Sequence, residues 1–291
     1  MHTHSKAYFR EPPQFQDVGT CEIAYRTFGM GEPLLLVHGW PLSGATWRHL
    51  LPTLAEKFTC TVVDLPGAGE TRWRDGNDFS FSGQAANLER FLEWRNLRPC
   101  HVIAHNTGAT IAREVAVRTP GRFSSMVLIG TEIPDHRPPW VQFYQQLTGL
   151  PGSTFSFQQL MKLHSFVHSS MGLGGVFSDK ALLDGDFRSI FLEPLITDSR
   201  RMLGQIHYLR GIDWQMVDRL GEEHRRIACP VLLIWGEDDQ TFPLERAKIL
   251  PDQFPDCHGL IAVPRAKLFV QEEQPEAVAR HIQAFHSTIG G

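Results

Sequence analysis

The sequence predicts an α/β fold, a mostly parallel, doubly wound sheet with helices on both faces and a helical segment inserted late in the chain. Three observations carry this. Short apolar, β-branched runs alternate with longer segments of helical spacing. Those runs are apolar throughout, the pattern of strands buried on both faces. The alternation then stops between about residues 135 and 229, where helical patterns, Pro-rich breaks and a Gly-rich turn at 172–175 remain.

In chain order, residues 34–38 read as the first core strand and 46–58 as a helix. Residues 59–64 are a second strand and 80–97 a second helix. The third strand is 100–105, and a helix over about 107–118 follows it directly. Residues 125–130 form a fourth strand. After the helical stretch come strands at 231–235 and 260–263 and a last helix over about 273–287. A helical insertion after a strand end reads as a lid over a site at the strands' C-terminal ends. The expected division is a core of 1–134 and 224–291 with a cap of 135–223.

Composition narrows the function. Of 291 residues, 42% are hydrophobic and 21% charged, so the chain builds its own core without metal or disulfide. A net charge of -4, from 28 Lys plus Arg against 32 Asp plus Glu, argues against nucleic acid or an anionic membrane as partner. No apolar run reaches membrane-spanning length, and residues 1–10 hold no apolar stretch of a secretory signal. The five cysteines are scattered and odd in number, which predicts reduced thiols and a cytoplasmic protein. No dinucleotide or P-loop glycine pattern is present, and no cofactor is expected. The pair His164 and His168 has i, i+4 spacing, but that spacing recurs by chance and no metal is expected.

The informative segment is Val102-Ile-Ala-His-Asn-Thr-Gly-Ala-Thr-Ile-Ala112. A strand runs into a helix with no room for a loop. Ala104 and Gly108 lie two residues to either side of Asn106, the spacing of a nucleophile elbow, in which the flanking side chains must be tiny and the central one stands exposed. Ala109, Ala112 and Ala116 let the helix sit close.

Three further segments follow strand ends: Val37-His-Gly-Trp-Pro41, Asp64-Leu-Pro-Gly-Ala-Gly69, and Trp235-Gly-Glu-Asp-Asp239 with Phe242-Pro243. Together, in this order, they resemble the α/β-hydrolase family from about residue 32 onward, and most closely its capped epoxide hydrolase and dehalogenase branch. The resemblance implies an α/β-hydrolase fold and a site built from a nucleophile, a His base and an acid. It places the acid at Asp239, with Glu132 as the alternative, and the oxyanion donors at the backbone N–H groups of Trp40 and Thr107.

Two positions depart from the family. Asn106 stands at the nucleophile position, and a neutral amide with a delocalised lone pair is a poor nucleophile. The base position, counted back from Pro275, falls on Leu268; a shifted loop puts Gln271 there instead. Neither is basic. Lid tyrosines of epoxide hydrolases polarise the substrate oxygen, which makes Tyr144 and Tyr208 candidates. His105, His136 and Trp140 complete the residues read as facing the ligand, with His38 read either there or as a structural group beneath the site.

Three readings stay open: a hydrolase disabled at its nucleophile, by divergence or by design; a cofactor-free lyase, isomerase or cyclase; and a non-catalytic binder. In each the partner is a small, mostly apolar organic molecule, and a homo-oligomer is compatible with the sequence.

Overall fold

The computed structural model describes residues 8–97 and 99–290. The segment on which the absence of a secretory signal was read lies, up to residue 7, outside the described residues.

Among the described residues, nine strands form one sheet in the order β1-β2-β4-β3-β6-β7-β8-β9, with β5 beside β2. The strands are β1 (Gln14–Asp17), β2 (Cys21–Phe28), β3 (Glu32–Val37), β4 (Phe58–Val63), β5 (Arg72–Trp73), β6 (Cys100–His105), β7 (Phe123–Ile129), β8 (Val231–Gly236) and β9 (Cys257–Val263). From β4 to β9 across the sheet every pairing is parallel; those made by β2 are antiparallel. This is the mostly parallel sheet that the apolar runs predict. The centre is dry: Leu34, Leu35, Leu36 and Val37 are all at most 1% exposed. Burying each such side chain contributes about 2 kcal/mol.

Helices cover both faces. The main ones in the first half are α1 (Phe81–Trp94), capped by the Ser80 side chain, and α2 (Thr107–Arg118). Between β7 and β8 the chain is helical, including α3 (Pro139–Thr148), α4 (Ser153–Lys162), α5 (Ser199–Arg210) and α6 (Trp214–Glu223). After β9 come α7 (Val270–Glu273) and α8 (Pro275–Ile289).

Two expectations are corrected. Residues 46–58 do not form one helix. A 3-10 turn, Gly44–His49, leads into a four-residue helix, Leu51–Leu54, and β4 begins at Phe58. Pro52 has no N–H to offer the Arg48 carbonyl, so a continuous α-helix cannot run through it. Secondly, the sheet starts earlier than expected: β1 and β2 precede the first anticipated strand, and the short β5 pairs with β2. Glu22 and Arg26 interrupt the apolar pattern of β2; Arg26 is nevertheless buried, held by Glu70, the Tyr8 hydroxyl and the Glu11 carbonyl.

The strand order reverses between β3 and β6, since chain order runs outward through β4 on one side and through β6 and β7 on the other. Side chains at the C-terminal ends of β3, β6, β7, β8 and β9 therefore converge on one crevice.

Candidate active site

Asn106 occupies the one-residue junction between β6 and α2. Its backbone sits at φ 51, ψ -133, a region that costs a non-glycine residue about 1–3 kcal/mol. The surroundings hold it there. The Asn106 N–H donates to the Ile129 carbonyl at 3.0 Å, and its carbonyl accepts from Ala109 N at 2.8 Å. The β3 loop presses against the junction so closely that only glycine fits: a Cβ on Gly108 would lie 2.1 Å from the His38 carbonyl oxygen, and one on Gly39 would lie 2.5 Å from the Asn106 Cβ.

The Asn106 side chain is 5% exposed, and its Oδ1 accepts a hydrogen bond from the Thr107 N–H. The Trp40 N–H donates to the Thr107 hydroxyl at 2.8 Å, and that hydroxyl lies 3.0 Å from the Tyr208 hydroxyl. The two backbone donors expected to receive an oxyanion are thus both engaged within the protein. Burial raises the Tyr208 phenol above its usual range, so it stays protonated.

Asp239 lies past the end of β8, 4% exposed. Its Oδ1 accepts from Thr241 N at 2.7 Å and Phe242 N at 3.2 Å, while Oδ2 is buried without a partner. Burial raises its pKa to about 7 against the pull of those two N–H groups. Leu268, the position counted back from Pro275, is 1% exposed. A methyl placed on Gly130 would sit 3.6 Å from Leu268 Cδ1 and 3.9 Å from Asp239 Oδ2. The leucine side chain and the free carboxylate oxygen therefore border the same point.

Gln271 is elsewhere. Its amide donates to the Thr46 hydroxyl at 3.0 Å, within a buried network where Glu272 holds Arg48 at 2.8 and 2.9 Å. Glu132 is also committed: its Oε2 accepts from the Thr110 hydroxyl at 2.7 Å, lies 2.9 Å from the Thr131 hydroxyl and 3.9 Å from Arg113. Burial lowers the Arg113 pKa to about 10, the mark of a guanidinium deep in the protein.

The histidines divide in the same way. His38 is fully buried with Nδ1 on the Gly39 carbonyl and Nε2 accepting from Leu65 N at 2.9 Å; it supports the loop and does not reach the cavity. His105 donates from Nε2 to the Leu268 carbonyl at 3.0 Å, and burial lowers its pKa to about 3, leaving it neutral. His136 contacts the Thr241 carbonyl at 2.7 Å. None of the three lines the cavities described next.

Over Asn106 lies a small cavity walled by Trp40, Thr107, Glu132, Trp140, Trp214 and Phe242. Beside it is a larger, open apolar cleft with Tyr144, Phe157, Met161, Phe166 and Met202 in its walls. Trp40 and Trp140 line both, their rings 6.3 Å apart. The Tyr144 hydroxyl donates to the Met171 carbonyl, and burial raises its pKa. Sequence reasoning missed Trp214 and Phe242 as wall residues; only the fold brings them next to Asn106.

Comparison with known proteins places this geometry. The family described as alpha/beta hydrolase fold matches residues 32–275. The chain is 23% identical over 243 residues to a pimeloyl-acyl-carrier-protein methyl ester esterase of Aeromonas salmonicida, covering 82% of this chain and 89% of that protein. It is 24% identical over 273 residues to mouse epoxide hydrolase 4, covering 88% and 73%. The solved haloalkane dehalogenase DbeA of Bradyrhizobium elkani superposes with a TM-score of 0.80 at 19% identity, over 96% of this chain and 98% of that one.

Proposed function

The chain belongs to the alpha/beta hydrolase fold family, and on that premise we propose that it binds a small, largely apolar organic molecule without hydrolysing it. The observation that carries this reading is Asp239 Oδ2. In a working triad that oxygen would accept from a His base; here it is buried, unpartnered and beside Leu268. A leucine can neither take a proton from water nor give one to a leaving group.

The nucleophile position supports the same conclusion. Asn106 carries no charge, and its oxygen is turned back onto the Thr107 N–H. Similarity to an esterase, an epoxide hydrolase and a dehalogenase fixes no one chemistry for the chain. Cofactor-free acid–base catalysis needs an unengaged titratable group facing the cavity. Glu132 is tied to Thr110, Thr131 and Arg113, and the Tyr144 and Tyr208 hydroxyls have internal partners. The binding reading requires only what remains: a mostly apolar volume over Asn106, with the helices of 135–223 serving as its cap. The unpaired thiols at all five cysteines accord with a cytoplasmic setting, and among the described residues no helix is long and apolar enough to cross a membrane.

The test is a fluorescence titration with styrene oxide, 1-bromohexane and phenyl acetate. Trp40, Trp140 and Trp214 surround Asn106, so occupancy changes their emission. The expected result is saturable quenching by at least one probe, weakened in Trp140→Ala, with the probe recovered intact. Absence of any saturable signal, or the same signal in Trp140→Ala, contradicts the proposal.

A further inference from the structure

The spacing of His164 and His168 supplies two ligands on one helical turn and no third. The fold supplies it. His164–Val167 is a short helix following α4, and Asp184 arrives from the loop ahead of residue 188. His168 Nε2 lies 3.1 Å from Asp184 Oδ1 and His164 Nε2 lies 3.4 Å from the same oxygen. The two imidazoles stack with centroids 3.9 Å apart and planes 19° apart. One ligand atom from each of the three residues falls within 4.8 Å of the others.

We propose that His164, His168 and Asp184 bind a borderline divalent cation of the Zn²⁺ class. The spacing is compatible with a shared ion. Ligands about 2.05 Å from a tetrahedral zinc stand about 3.3 Å from one another, and the two nitrogen-to-oxygen separations bracket that value.

The donor set selects the ion. Two imidazoles and one carboxylate suit Zn²⁺, Co²⁺ or Ni²⁺ and not the oxygen-seeking Mg²⁺ or Ca²⁺. Three protein ligands leave a position for water. His164 and Asp184 are exposed, so a cation has access from solvent, whereas His168 is half-buried. The bound ion ties the turn after α4 to the 184 loop, which borders a polar cavity with Arg48 and Glu272. Binding therefore raises the stability of this part of the chain by mass action.

The experiment is calorimetric titration of the chelator-treated full chain with Zn²⁺, with Co²⁺ absorption as a second readout. The chain has 14 histidines, so location has to be decided by variants. The expected result is saturable uptake at this site, no matching uptake of Mg²⁺, and a thermal shift on adding Zn²⁺. His164→Ala, His168→Ala and Asp184→Asn each weaken it by about 10- to 100-fold, the scale that loss of a supporting partner alone produces. His258→Ala, which removes a single His–Asp contact of 3.3 Å at another surface, leaves it unchanged. The variants are checked for an unchanged melting curve without metal, which the exposure of His164 and Asp184 predicts. No saturable uptake, or uptake insensitive to His168→Ala and Asp184→Asn, overturns the proposal.

Discussion

Asp239 has two oxygens in opposite circumstances, one satisfied by two backbone N–H groups and one buried with nothing to accept from. Protonation relieves the second, which is why burial raises the pKa from 3.8 to about 7. The consequence for stability has a definite sign. Below the unfolded value the carboxyl is neutral in both states. Between the two values the native state holds a proton the unfolded chain has lost. Stability is thus fully present at low pH and declines as pH rises through about 7, by up to about 4 kcal/mol for a difference of this size. Asp239→Asn keeps the Oδ1 acceptor and removes the titration. Melting temperatures from pH 5 to pH 8 are expected to fall for the natural chain relative to Asp239→Asn; parallel curves contradict the assignment. At this scale the sequence was legible where a motif is contiguous. Asn106, expected at a strand-to-helix turn from its spacing to Ala104 and Gly108, stands at the junction of β6 and α2. What the atoms around it touch was not legible. Thr107 meets Tyr208 across 101 residues, and Glu132 meets Arg113 from the next turn of a different element.

The junction of β6 and α2 and the helix α6 respond to glycine in opposite ways. Gly108 faces the His38 carbonyl at a distance no Cβ can occupy, so Gly108→Ala pushes α2 away from the β3 loop and is expected to cost about 3 kcal/mol or more. Gly221 lies inside α6, with its nearest neighbours at an ordinary 3.7 Å. There Gly221→Ala gains helix propensity and is expected to stabilise by about 0.5–1 kcal/mol. Chemical denaturation of the two variants checks both; equal effects, or a tolerated alanine at 108, would refute the close-approach account. The long apolar strands and α1, α2 and α8 were readable because each is locally consistent. The start of the sheet was not, because Arg26 in β2 is buried only through partners from Tyr8, Glu11 and Glu70. The helix expected over residues 46–58 failed at Pro52, whose missing N–H breaks it into a 3-10 turn and a single short helix.

At the scale of the whole molecule the alpha/beta hydrolase fold is in place, and the proposed reading is that its nucleophile and base positions hold an amide, Asn106, and a hydrocarbon, Leu268. The sheet reversal, the tight turn at Asn106 and the paired cavities are architecture that binding alone can use. Covalent hydrolysis additionally requires a carboxylate at 106 and an imidazole between that carboxylate and Asp239. The proposed place for that imidazole is position 268, the one counted back from Pro275. The decisive measurement is turnover of one panel of epoxides, haloalkanes and activated esters by the natural chain and by Asn106→Asp/Leu268→His. The account predicts no product from the natural chain and measurable hydrolysis of at least one compound by the double variant. Product released by the natural chain, abolished by replacing a residue of the Asn106 cavity, would contradict it.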